Sequence, residues 1–166
     1  MKKNNYKFEF EVYDTINELP DADAKLLAKA RKTAETAYAP YSHFFVGAAA
    51  ILKNGKIVTG TNQENASYPV GICAERALLS SASALFPEIA VETMAISYHN
   101  HNTNTNSNRP ISPCGMCRQS LLEYEGRWQQ PIRLILSGIE GKVFVIATAS
   151  HLLPLSFTSQ DLVRNV

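Results

Sequence analysis

Apolar and charged residues alternate with a period of two along "KFEFEVY", Lys7 to Tyr13, which predicts a strand with one buried face. The period then changes. "LPDADAKLLAKARKTAETAY", Leu19 to Tyr38, is rich in Ala, Leu and Lys and predicts a helix, with Asp21 or Asp23 capping its start and Pro40 just past its end. In "FFVGAAAILKNGKIVTGTNQEN" two strand-like runs flank Asn54-Gly55, a dipeptide suited to the positive φ angles of a tight hairpin. A second helix is expected from Ile72 to Leu85, stopped by Pro87, and an apolar strand from Val91 to Tyr98. "HNHNTNTNSNRP" is polar and Asn-rich, so residues 99–109 read as a solvated loop. His99 and His101 raise the idea of a metal there, but the flexible polar loop is the better reading. A third helix starts around Cys114, and "IRLILSG" and "KVFVIAT" are the last clear strands, followed by "LLPLSF".

The order β-α-β-β-α-β-α-β-β predicts one sheet with helices packed on its faces. Only Ile139-Glu140-Gly141 separates the last two strands. So short a connection cannot cross over a sheet, so those strands must pair antiparallel. With no repeat, linker or break in composition, residues 1–166 read as a single domain, residues 1–18 forming an N-terminal extension strand.

Composition narrows the function. A net charge of +1 lacks the basic excess of a polynucleotide or membrane-surface binder, so neither partner is expected. No run of about 20 apolar residues could span a bilayer. "MKKNNYKFEFEVYD" carries no apolar signal-peptide core, which points to the cytoplasm, where thiols stay reduced. The cysteine count of 3 is odd and argues against a simple disulfide framework.

Cys114 and Cys117 form a Cys-x-x-Cys in "PCGMC". Alone this could be a redox dithiol, half of a zinc knuckle, or chance. The redox reading leaves Cys73 and Glu75 of "CAE" unexplained, and a closed structural zinc site would require a fourth Cys or His. Three protein ligands with one open position is the pattern of a catalytic zinc. Cys-x-Glu followed by Pro-Cys-x-x-Cys fills every position of the zinc nucleobase deaminase signature. Both ligand segments open helices, whose N-termini favour thiolates. Glu75, two residues from a ligand, is placed to take a proton from water and pass it to a substrate, although a plain helix N-terminal acid is the alternative. Three thiolates on one zinc leave a net negative charge. Arg76, three residues after Cys73 on the same helical side, is either its neutralising partner or an ordinary surface arginine.

The blocks "YAPYSHFFVGAA", "GTNQENASYP", "CAER", "SPCGMCRQ" and "LLPLSF" occur in order, and through them the chain resembles the homotetrameric cytidine deaminases over roughly residues 38–157. The resemblance implies a three-layer α/β/α fold on a central mixed five-stranded sheet. It implies one zinc per chain on Cys73, Cys114 and Cys117, with Glu75 as proton shuttle. It further implies that Asn62 and Glu64 hold the ribose hydroxyls, that Phe44 packs near the nucleoside, and that the Ala74 amide meets the base carbonyl. Tyr68 and Phe157 match positions that help build a neighbouring subunit's site, implying a homotetramer with shared active sites. Core packing is the alternative for Phe44, Tyr68 and Phe157, and a turn role for Asn62 and Glu64. The N-terminal extension, the Asn-rich loop and a longer "EYEGRWQQP" connection depart from shorter members.

The antiparallel final hairpin resembles the arrangement in enzymes acting on free nucleosides. The expected function is hydrolytic deamination of cytidine and 2′-deoxycytidine to uridine and 2′-deoxyuridine, with release of ammonia, in pyrimidine salvage. Alternatives are deamination of a modified cytosine nucleoside such as blasticidin S, or a zinc-stabilised binding module without catalysis. Intact Glu75, Asn62 and Glu64 count against the last.

Overall fold

The computed structural model describes residues 1–102 and 105–162, so Thr103 and Asn104 of the Asn-rich segment lie outside it. Six strands and three α-helices follow in chain order: β1 (Glu11–Tyr13), α1 (Asp21–Ala34), β2 (Phe44–Leu52), β3 (Ile57–Thr61), α2 (Ala74–Leu85), β4 (Val91–Asn100), α3 (Gly115–Trp128), β5 (Arg133–Ser137) and β6 (Val143–Ile146). They form one mixed sheet of order β1-β6-β5-β4-β2-β3, in which only β4 and β5 run parallel. The last two strands pair antiparallel, as the short connection requires, and Gly141 turns that corner at a φ of 78°.

The central strands are apolar on both faces because both faces are covered. On one side Leu27 and Ala30 of α1 pack with Ala49, Ala95, Ile135, Val143 and Val145. On the other, Leu78 of α2 and Leu121 of α3 pack with Ala48, Ala50, Met94, Ile96, Leu134 and Leu136. Neighbouring residues of β2, β4 and β5 thus point into opposite cores, giving three layers. Backbone approach fixes the helix positions. A Cβ on Gly60 of β3 would stand 2.5 Å from the Ala74 carbonyl oxygen and the Leu78 nitrogen, so α2 lies against β3 with no side chain between them.

Five sequence expectations change. The sheet has six strands rather than five, because the N-terminal extension pairs with β6 as Glu11↔Val145 to Tyr13↔Val143. That strand covers three residues instead of Lys7 to Tyr13. Its partner β6 is four residues long, so pairing stops where β6 stops. The chain before it runs on as an arm, with Phe10 against Phe144 and Phe8 against His151. Helix α1 ends at Ala34 and not near Tyr38, since Tyr38 leaves to bridge Gln63. His99 and Asn100 belong to β4 and not to the loop, held by pairing with Phe45 and Phe44. Most of "EYEGRWQQP" continues α3, which closes at Gln129 in the left-handed conformation, φ 49°.

Candidate active site

Cys73 precedes the first residue of α2 and Cys114 precedes the first residue of α3, while Cys117 sits in the first turn of α3. The fold therefore brings two helix N-termini together, and the three sulfurs converge within 4.8 Å of one another. Cys73 Sγ lies 3.8 Å from Cys114 Sγ, which lies 3.5 Å from Cys117 Sγ. Two sulfurs bound at about 2.3 Å to a tetrahedral ion stand about 3.8 Å apart, so the spacing already suits zinc.

The electrostatics agree. Hydrogen bonding from Cys117 holds the Cys73 thiol down at about 6, with the Arg76 charge also lowering it, against burial and the nearby Glu75. The Cys117 thiol is pushed far up by its hydrogen bond to Cys73 and by burial. One thiolate thus forms readily and the next is strongly opposed, so full ionisation of the cluster needs a cation. Zinc fits this donor set.

Glu75 follows in the first turn of α2 and is 5% exposed. Burial raises its carboxyl above the usual carboxylate range, opposed by its own backbone N–H and by the Cys117 thiol. A carboxyl so placed holds a proton more readily than one in water, the property a proton carrier needs. As the first residue of α2, Ala74 offers an N–H without an intrahelical partner.

A cleft of about 320 Å³ opens beside Cys73 and is lined by Asn62, Glu64, Tyr68, Tyr41 and Met116 among others. Asn62 Oδ1 accepts from the Val46 N–H at 2.7 Å, and its Nδ2 donates to the Phe44 carbonyl at 2.9 Å. Glu64 Oε2 accepts from the N–H groups of Tyr41 and Ser42 at 2.9 and 3.2 Å. Although partial burial pushes Glu64 up, the hydrogen bonds from Ser42 and Tyr41 hold its carboxyl below the usual range. These two side chains clamp the segment from Tyr41 to Val46 and leave Glu64 Oε1 and one N–H of Asn62 facing other partners.

Other residues named from the sequence fall elsewhere. Phe44 lies outside the cleft wall, stacked on Tyr98 at 4.8 Å in a neighbouring cavity of about 430 Å³ that Arg109 also lines. Tyr68 stands at the rim against Tyr41 and is 77% exposed. Phe157 is 59% exposed and meets α3 through its carbonyl, which accepts from Gln119 Nε2 at 3.0 Å. Tyr41 and Met116 were missed; both lie inside blocks that the sequence had flagged, "YAPYSHFF" and "CGMC".

A larger cavity of about 750 Å³ lies between α2 and α3, lined by Arg76, Tyr124 and Arg127, but no cysteine and no Glu75 reaches it. Cys73 lines the smaller cleft instead. The Arg76 charge favours the Cys73 thiolate, so Arg76→Gln is expected to keep the fold and slow turnover. Unchanged turnover and zinc content in that variant would remove the neutralising role.

Residues 20–128 match the family described as the cytidine and deoxycytidylate deaminase zinc-binding region. The chain is 37% identical over 137 residues to a cytidine deaminase from Halalkalibacterium halodurans, covering 82% of this chain and 95% of that one. It is 29% identical to a blasticidin-S deaminase from Bacillus cereus, over 82% of this chain and 92% of the relative. The crystal structure of a cytidine deaminase from Burkholderia pseudomallei superposes with a TM-score of 0.69 at 38% identity, covering 80% of this chain and 97% of that one. With three convergent thiols and a buried carboxyl beside them, the chain belongs to the cytidine and deoxycytidylate deaminase family and is a zinc-binding enzyme.

Proposed function

We propose that the protein hydrolyses cytidine and 2′-deoxycytidine to uridine and 2′-deoxyuridine, releasing ammonia. The observation that carries this reading is the buried Glu75 carboxyl at the N-terminus of α2, beside the three sulfurs and next to the cleft that Asn62 and Glu64 line. Zinc on Cys73, Cys114 and Cys117 supplies Lewis acidity, which lowers the pKa of water to about 7 in favourable sites. Glu75 takes a proton from water as its oxygen adds to C4 of the base, and delivers it to N3. A second transfer through Glu75 protonates the departing amine, which leaves as ammonia while the C4–O bond keeps the oxygen. The Ala74 N–H donates to the base carbonyl at C2. Glu64 and Asn62, fixed by their backbone hydrogen bonds, receive the ribose hydroxyls, and Phe44 supports Asn62 from behind through its backbone carbonyl. Arg76 offsets the excess negative charge of the three thiolates.

The exposure of Tyr68 and Phe157 supports a homotetramer in which each chain lends residues to a neighbour's site. Light scattering is expected to give four chains, and a fully active monomer would end the shared-site idea. Among the described residues no helix is long and apolar enough to cross a membrane. The free state of all three cysteines suits a reducing cytoplasm and a role in pyrimidine salvage.

The deciding experiment follows the absorbance of cytidine with purified protein, with blasticidin S and single-stranded DNA as competing substrates. The similarity to a blasticidin-S deaminase makes that nucleoside the second reading. Turnover of blasticidin S in place of cytidine would establish it, and turnover of neither would leave a binding module.

A further inference from the structure

His99 lies near the end of β4 and His101 one residue past it, and their ring centroids stand 4.0 Å apart. The last turn of α1 lies beside both rings. The two imidazoles meet edge to face, with His101 Nε2 2.9 Å from His99 Nδ1. Each is held from behind. His99 is fixed by pairing with Phe45, while the His101 ring lies 4.8 Å from the Phe45 ring and the His101 backbone N–H donates to the His43 carbonyl at 2.9 Å. Together they line a small cavity of about 190 Å³ with Ala34, Glu35 and Arg31.

We propose that His99 and His101 form a second metal site, separate from the cysteine centre, for a divalent transition ion that accepts right-angled nitrogen ligands, such as nickel or copper. Two imidazole nitrogens bound at about 2.0–2.1 Å and at a right angle stand about 2.9 Å apart, whereas tetrahedral ligation separates them by about 3.4 Å. The observed spacing is the former, and the ion takes the place of the hydrogen bond between the rings. The end of α1 contributes the negative pole of its dipole, while the Glu35 carboxylate on the same wall is paired with Lys32. Arg31 opposes a cation there, but its guanidinium is tied to the Gly138 carbonyl and Ser137 Oγ, both at 3.1 Å.

The site does not rest on the deaminase reading, and its test uses binding alone. Untagged, zinc-loaded protein is titrated with Ni²⁺ by calorimetry, with zinc content measured before and after. One Ni²⁺ per chain beyond the zinc is expected. His99→Gln and His101→Gln should each weaken it at least about tenfold, since even losing a residue behind a ligand costs about 10–100-fold in metal affinity. Both lie on the surface, so zinc content and circular dichroism should stay unchanged. No nickel beyond the zinc, nickel that merely displaces zinc, or affinity unchanged in both variants would overturn the proposal. So would an equal loss in His43→Gln, which removes an imidazole outside the pair.

Discussion

Glu75→Gln is expected to bind zinc and nucleoside normally and to be nearly inactive. Glutamine keeps the shape of a side chain that is 5% exposed and can still hydrogen-bond, so the packing around it survives. It cannot take a proton from water or return one to N3 and the amine. Positioned acid–base catalysis is worth about 10² to 10⁴ in rate, and one carboxyl here serves two transfers, so the loss should lie at or above the upper end. Substrate affinity should hold or tighten, because the lost interaction belongs to the transition state. Single-turnover deamination of cytidine, read beside zinc content, is the measurement. More than about a tenth of the wild-type rate with full zinc would mean that another group moves the protons.

Cys117→Ser is expected to lose the metal itself. Cys117 is fully buried in the first turn of α3, while Cys114 is exposed at the helix start. Serine puts a short, weakly ionising hydroxyl where a thiolate is required, inside a site too enclosed for water to substitute freely. Removing a supporting residue around a metal ligand already costs about 10–100-fold in affinity, and removing a ligand should cost no less. Zinc should fall from near one equivalent per chain to a small fraction, and turnover with it. Cys114→Ser should follow the same course, more mildly at its exposed position. Elemental analysis that found full zinc in Cys117→Ser would break the three-sulfur assignment.

The features legible in the sequence were those encoded over short distances. Cys-x-Glu and Pro-Cys-x-x-Cys each lie within one helix start, so their spacing carried the three convergent sulfurs, the buried carboxyl beside them and the two helix N-termini together. The hairpin at Asn54-Gly55 and the antiparallel end of the sheet were equally local. What the sequence hid depended on partners far along the chain. The length of β1 is decided by β6, some 130 residues later by the register Glu11↔Val145. A turn role stayed open as the alternative for Asn62, because its partners Val46 and Phe44 lie on another strand. His99 sits in an Asn-rich stretch whose composition argues for loop, yet strand pairing with β2 overrides that composition, as tertiary context often does.

The sulfur cluster joins positions 41 residues apart, Cys73 and Cys114, with all of α2 and β4 between them. An ion held there closes a loop through one core of the protein, where an oxidised extracellular domain would use a disulfide. Its contribution to stability follows mass action, about 4 kcal/mol when free ion stands a thousandfold above its dissociation constant. Fold and catalysis therefore draw on the same bound ion. In a cell starved of zinc, such a protein would decline in abundance as well as in specific activity, because the apo chain would populate its open state more often and be cleared.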